Sequence, residues 1–203
     1  MRRVLALGGL VAVLLTACGG DDAPDERRFE QDGAPFAFAY PPDLVTIQPQ
    51  LRETERSAPT FKTSVGTDEA NYVHVATYDT KVPVDLANPE NQNAVDRAAQ
   101  FLAKNTGWEL GARQQAKLGP LDAFVYPLEK VDAGREGRLI YAFSGPVEYF
   151  VRCEWEYDVS PTIPVACDQV QRTFEPLAAA AAGTGGSSSQ PATTTAPASS
   201  SGG

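Results

Sequence analysis

The side chains of this sequence best suited to acid–base chemistry are one histidine, His74, and a set of carboxylates in a later segment. The carboxylates are Glu148, Glu154, Glu156 and Asp158. Paired carboxylates can hydrolyse glycosides, and clustered ones can bind calcium. A Ser-His-Asp triad could use only His74, and the sequence has no second histidine and no G-x-S-x-G motif. No D-x-D-x-D-G loop accompanies the carboxylates to form a calcium site. We therefore predict that these residues lie on a strand surface, with no catalytic residues and no metal.

The first residues of the chain have the pattern of an export signal. Two positive charges, Arg2 and Arg3, precede an apolar run from Val4 to Leu15. This run is shorter than the roughly 20 residues that a helix needs to span a bilayer. A short apolar run after a basic start is typical of a secretory signal peptide.

The apolar run ends in Leu15-Thr16-Ala17-Cys18, which resembles the bacterial lipobox at each position. The resemblance implies that residues 1–17 are a lipoprotein signal peptide and that Cys18 receives a diacylglycerol. Two or more acyl chains would anchor the exported protein stably to the outer face of the cell membrane. The alternatives are an ordinary signal peptide with a chance cysteine, or an uncleaved short anchor.

The charge of the chain excludes some classes of partner. The full sequence carries a net charge of −9. Loss of residues 1–17 removes Arg2 and Arg3, so that 15 basic residues face 26 acidic ones and the side-chain charge becomes −11. Nucleic acids and anionic lipid surfaces bind through Lys and Arg, so we expect no nucleic acid partner. The membrane would be reached through the lipid on Cys18.

Composition divides the exported chain into three parts. Residues 18–34 are polar and small, and we predict a lipidated cysteine followed by a flexible tether. Residues 177–203 are rich in Ala, Ser, Thr, Gly and Pro, and we predict a disordered tail that can carry O-linked sugar. The intervening residues 35–176 are enough for one domain with a single core.

Periodicity within this domain predicts many strands and two helices. Alternating apolar residues predict strands at 36–40, 44–48, 61–65, 71–78, 108–118, 121–130, 138–144 and 147–157. Asn88 and Gly107 are suited to cap a helix over 88–105, whose apolar stripe is expected to include Phe101. A second helix is predicted over 161–174.

The last predicted strand, 147–157, alternates most regularly. Val147, Tyr149, Val151, Cys153, Trp155 and Tyr157 share one face, and most residues on the other face are charged. Such alternation is typical of a strand with one buried and one wetted face. We therefore predict that Cys153 points into the core and that Glu154 and Arg152 face water.

Cys153 and Cys167 are the two thiols that remain if Cys18 carries lipid. They are expected on the last strand and on the helix that returns over it, in an exported chain where disulfides persist. We predict that they pair, closing a 15-residue loop that contributes about 3 kcal/mol. A zinc site or a redox-active dithiol is weakly supported, because no histidine is nearby and no C-x-x-C motif occurs.

The order of elements in this chain resembles that of the PsbP-like superfamily. It runs from "FAFAYPPDL" through a mid-chain helix, "LIYAFS" and "VEYFVRCEW" to a last helix that ends near "RTFEP". Within it, the chain is most similar to the actinobacterial LpqN-type lipoproteins. The resemblance implies an α+β fold, an α/β/α sandwich in which helices flank a curved antiparallel sheet. It carries no catalytic residues to transfer, and members are mostly binding or accessory proteins.

Two classes of function follow from these observations. The first is a non-enzymatic binding or accessory lipoprotein of the cell envelope, with a lipid, glycan or protein as its partner. Its expected binding face is the polar side of the sheet, formed by Tyr72, His74, Tyr78, Phe150, Arg152 and Glu154. The second is an envelope hydrolase that uses the carboxylates, and a purely structural role is a third possibility. No Walker loop or dinucleotide fingerprint occurs, so we predict no cofactor.

Overall fold

The structure, a computed structural model, describes residues 26–49, 51, 58–157 and 161–177. The predicted signal peptide, Cys18, Asp158 and the tail from residue 178 lie outside these residues. In chain order the elements are β1 (Arg27–Phe29), β2 (Phe36–Tyr40), β3 (Val45–Thr46), β4 (Phe61–Gly66), β5 (Tyr72–Asp79), α1 (Pro89–Thr106), β6 (Glu109–Leu110), β7 (Gln114–Leu118), β8 (Leu121–Lys130), a 3-10 turn (Val131–Ala133), β9 (Arg135–Ser144), β10 (Val147–Glu156), α2 (Thr162–Thr173) and β11 (Glu175–Pro176).

An antiparallel sheet of eight strands forms the middle of the fold. Its order is β3-β4-β5-β10-β9-β8-β6, and β7 also pairs with β8. The single strand predicted over 108–118 is thus divided into β6 and β7. The interruption lies opposite Pro127 of β8, which has no N–H to donate to a neighbouring strand. The carbonyl of Pro127 accepts the N–H of Gly111 instead, at 2.8 Å.

Helix α1 covers one face of this sheet, and its ends are set by local sequence. The Asn88 side chain accepts the Glu90 N–H at 2.8 Å, and Gly107 closes the helix with a φ of 72°. The buried stripe consists of Val95, Ala99, Leu102 and Ala103. Phe101, predicted within the stripe, is instead 51% exposed. The face of the helix that packs on the sheet therefore includes Ala99 and Ala103 and does not include Phe101.

A smaller sheet of three strands, in the order β1-β2-β11, lies with α2 on the other face. The prediction that residues 18–34 are all flexible tether is wrong for Arg27–Phe29, which pair with β2. The Phe29 ring stacks on Phe38 with centroids 5.0 Å apart, and Arg28 forms an ion pair with Glu175. Packing of the Phe29 ring on β2 removes apolar surface from water and so stabilises the pairing of Arg27–Phe29. The domain therefore begins near residue 27 rather than 35.

Two cores result, one on each face of the large sheet. The first joins β2 and α2 to the sheet through Phe36, Phe38, Tyr149 and Phe174. The second lies under α1, around Tyr126, Leu139 and Tyr141. Helices on both faces of a curved antiparallel sheet confirm the predicted α+β class. No helix within the described residues is long and apolar enough to cross a membrane.

The predicted disulfide is confirmed. Cys153 of β10 and Cys167 of α2 are joined by an S–S bond of 2.02 Å, with their Cα atoms 6.1 Å apart. Both residues are fully buried in the first core. The bond therefore fixes α2 against the central strand of the sheet.

Candidate functional site

The predicted binding face is gathered on the α1 side of strands β5 and β10. In the pairing of these strands Tyr72 lies opposite Glu154 and His74 lies opposite Arg152. Phe150 and Tyr78 continue the same face, with ring centroids 6.3 Å apart. The sequence thus predicted correctly which six residues share this face.

The prediction that this face is wetted is wrong. His74 is 4% exposed, Arg152 6% and Glu154 3%, and Tyr72, Phe150 and Glu148 are also buried. Alternation along a strand distinguishes its two faces, but it does not reveal that the polar face will be covered. The face can be buried because its charged groups pair with one another.

Glu154 is held between two arginines. Its Oε1 accepts from Arg152, and its Oε2 accepts from Arg135 at 3.0 Å. The guanidinium of Arg135 also donates to the Ala70 carbonyl and lies 5.5 Å from the centroid of the Trp108 ring. A buried carboxylate is tolerated when it is paired and hydrogen-bonded in this way. Both oxygens of Glu154 are therefore engaged in structural contacts.

Tyr72 completes this charged cluster. Burial raises the pKa of the Tyr72 hydroxyl, Arg152 opposes the rise, and the adjacent Glu154, to which the hydroxyl is hydrogen-bonded, adds to it. Tyr72 therefore loses its proton less readily than an exposed tyrosine, and its hydroxyl serves as a hydrogen-bond donor to Glu154.

His74 lies at the wall of a cavity of about 490 Å³, which we call the His74 cavity. The Nδ1 atom of His74 is 2.8 Å from the Ser64 hydroxyl on the neighbouring strand β4. The other polar residues that line this cavity are Gln31, Thr46, Gln48, Lys62 and Thr63. The cavity combines hydroxyl, amide, imidazole and ammonium groups, which can hydrogen-bond a polar ligand.

Glu148 and Glu154 lie too far apart to form a hydrolytic pair. Glu148 and Glu154 are six residues apart on one strand, a separation of about 20 Å. Glycosidase pairs require about 5 to 9.5 Å. Glu156 is exposed at the end of β10, and Asp158 lies outside the described residues. Among the described side chains, no three from His, Cys, Asp or Glu come together to hold a metal.

A second cavity, of about 480 Å³, lies between the Val84–Ala87 segment and the β7–β8 hairpin. Phe124 and Phe143 form its floor, and we call it the Phe143 groove. Sequence analysis did not find it, because its lining comes from three separate segments that only the folded chain brings together. No local motif marks it.

The fold of this chain is similar to that of solved structures, although its sequence matches no family model. No protein-family model matches the chain, and no curated protein matches it. The solution structure of cyanobacterial PsbP (CyanoP) from Synechocystis is similar, with a TM-score of 0.52 and 12% identity, over 80% of this chain and 98% of that chain. A crystal structure from Bacteroides thetaiotaomicron matches with a TM-score of 0.48 and 12% identity, over 73% of this chain and 47% of that chain. By its likeness to CyanoP, which concerns the fold alone, the chain has the fold of a PsbP-like domain.

Proposed function

We propose that this protein is a lipid-anchored cell-envelope lipoprotein of the LpqN type, whose PsbP-like domain is a non-enzymatic binding or accessory module. The lipobox-like sequence Leu15-Thr16-Ala17-Cys18 supports export and anchoring on the outer face of the membrane. A lipid, glycan or protein of the envelope is the partner. An envelope hydrolase remains the alternative, and the wide separation of Glu148 and Glu154 weighs against it.

One observation carries the binding role. His74 hydrogen-bonds to Ser64, and both residues line a cavity of about 490 Å³. Glu154, which is not among the described lining residues, hydrogen-bonds to two arginines. Such an arrangement gives a rigid, polar cavity wall. It supports binding of a polar ligand without supplying an acid and base pair for hydrolysis.

The position of β1 supports a defined orientation on the membrane. The chain from Cys18 reaches the domain at Arg27, in the layer opposite α1. Nine residues can span at most about 30 Å. A lipid on Cys18 would therefore keep the β1-β2-β11 layer near the bilayer and leave the α1 side turned away from it.

Lipid attachment is tested by expressing the full chain, Cys18→Ser and Thr16→Ser in a host that processes lipoproteins. Wild type and Thr16→Ser, which keeps a small polar residue in the lipobox, should incorporate an alkyne-labelled fatty acid and sediment with membranes. Cys18→Ser should do neither. Equal membrane retention and processing of Cys18→Ser would contradict the lipoprotein assignment.

The binding role is tested by native mass spectrometry of the protein released gently from the envelope of its own host. An additional stoichiometric mass would support a bound lipid or glycan, and crosslinking of the full-length protein in cells would detect a protein partner. A bare mass together with no reproducible crosslinked partner would contradict the binding role.

A further inference from the structure

We propose that the Phe143 groove binds a basic, extended peptide segment of a protein partner. The inference goes beyond the proposed function, since it requires neither a lipid on Cys18 nor a ligand in the His74 cavity. Its support comes from four features of the groove: an apolar floor, acidic walls, a rigid outer wall and a strand edge that is exposed at Gln115.

The floor of the groove is apolar, and only its Phe143 and Leu86 part is still open to solvent. Phe124 is 3% exposed, whereas Phe143 and Leu86 are half-buried at the margin of the second core. At about 480 Å³, the groove is large enough for one large side chain and its neighbours. An apolar group placed on Phe143 and Leu86 would remove their remaining surface from water.

The walls of the groove carry negative charge. Asp85 and Asp122 line it, and none of its described lining residues is Lys, Arg or His. The Arg113 guanidinium lies 4.6 Å from the centroid of the Phe124 ring, but it already donates to Asp96 and Gln92. Lys117 pairs with Asp122 at 2.7 Å, but these side chains are 63% and 81% exposed. Solvent screens such a pair, so it competes weakly with a ligand. A partner with positive side chains on apolar stems complements both the walls and the floor.

The outer wall of the groove is held in place by hydrogen bonds. The Val84 N–H donates to the Gly145 carbonyl at 3.1 Å. The side chains of Asn91 and Gln92 donate to the carbonyls of Asp85 and Leu86, each at 2.9 Å. A wall that is ordered before binding adds little entropic cost when a ligand enters.

The edge of β7 at the mouth of the groove favours a peptide over a free amine. Leu118 pairs with Leu121 across a two-residue turn, so alternate residues of β7 direct their backbone groups away from β8. The backbone carbonyl of Lys117 points away from β8 in this way, because it accepts a hydrogen bond from the Gln171 side chain of α2 at 2.9 Å. Gln115 has the same orientation, is exposed and lines the groove. An extended chain can pair with its backbone N–H and carbonyl.

The test uses the full-length chain in phosphatidylcholine nanodiscs, whose lipids have no net charge to attract a basic probe. The probe is an acetylated and amidated Gly-Lys-X-Lys-Gly peptide, in which X is the photoreactive p-benzoylphenylalanine. We expect crosslinks at Leu86, Gln115 or Phe143. The double variant Asp85→Asn and Asp122→Asn should bind about fivefold more weakly, because two exposed charge contacts are lost.

Two controls separate loss of charge in the groove from loss of its structure and from loss of charge elsewhere. The Asn at position 85 retains the side-chain oxygen that accepts the Ala87 N–H, so the wall keeps its turn. Asp132→Asn, beyond the far end of β8 at about 30 Å from Asp122, should bind the probe as the wild type does. The proposal is overturned if a Gly-Glu-X-Glu-Gly probe crosslinks equally well, if the double variant binds with wild-type affinity, or if crosslinks are absent or lie elsewhere.

Discussion

Cys153 on the central strand β10 is covalently bonded to Cys167 on α2, and both residues have no exposed surface. The bond joins the large sheet to the layer that contains β2 and the two chain ends of the domain. A crosslink of this kind stabilises mainly by restricting the unfolded chain.

Removal of the disulfide should lower the stability of the domain without unfolding it. We expect the double variant Cys153→Ala and Cys167→Ala to lose about 3 kcal/mol and to melt about 6 to 12 °C lower. Thermal unfolding followed by circular dichroism measures the change. Wild type under strong reductant should shift similarly, and identical melting of the oxidised and reduced wild type would contradict a stabilising role.

Phe29 should stabilise the start of the domain. Its ring is half-buried and lies near Phe36, Phe38 and Phe61. Phe29→Ala should therefore lower the free energy of unfolding by about 2 kcal/mol and expose the chain before Phe36 to protease. The matched control is Phe101→Ala on the outer side of α1, which should cost less than about 0.5 kcal/mol. Equal effects of the two substitutions would show that β1 does not contribute.

Glu154→Gln should be far more damaging than an equivalent change at the surface. The Glu154 side chain is 4% exposed and faces Arg135 and Arg152, so its loss leaves the buried guanidinium of Arg152 and the partly buried one of Arg135 without a countercharge. We expect a loss of about 3 to 5 kcal/mol in urea denaturation. Glu175→Gln, at a side chain that is 55% exposed, should cost less than about 1 kcal/mol. A small effect at Glu154 would mean that the cluster is solvated.

Tyr126 should make stability fall at alkaline pH. Its hydroxyl donates to Asp96 at 2.6 Å, and burial together with this hydrogen bond raises its pKa above the ordinary value of 10.0. Because the folded state retains the proton, this contribution is complete below pH 10 and is lost as pH rises further. Each pH unit above 10 removes about 1.4 kcal/mol.

The comparison with Tyr126→Phe isolates this effect. At pH 8 the variant should be less stable than the wild type by about 1.5 kcal/mol, because the hydrogen bond to a carboxylate is absent. At pH 11 this difference should shrink by about 1.4 kcal/mol, since phenylalanine does not ionise. Urea unfolding of both proteins at the two pH values measures it, and a constant difference would refute the proposed proton linkage.

Features set by local chemistry were predictable from the sequence. Helix α1 begins after Asn88 and ends at Gly107 because a capping side chain and a residue free to adopt positive φ act within one turn. The strand at 36–40 and the pairing of Cys153 with Cys167 followed from alternation and from the order of elements. The α+β class follows from the same periodic patterns, because each fixes one element and one apolar face.

What only the tertiary structure decided depends on contacts between distant segments. In the sequence, Phe29 is the one large apolar residue of a polar segment, which predicts a tether. In the structure, Arg27–Phe29 form a strand because they pair with β2. His74 and Glu154 looked like surface residues, because alternation gives the two faces of a strand but not what covers them. Burial of Glu154 requires Arg135 and Arg152 to meet it, and that pairing is set by the strand register. The sequence by itself determined most of the strands, both helices and the disulfide, whereas packing decided that β1 forms, where β6 and β7 separate, which polar residues are buried and where the cavities lie.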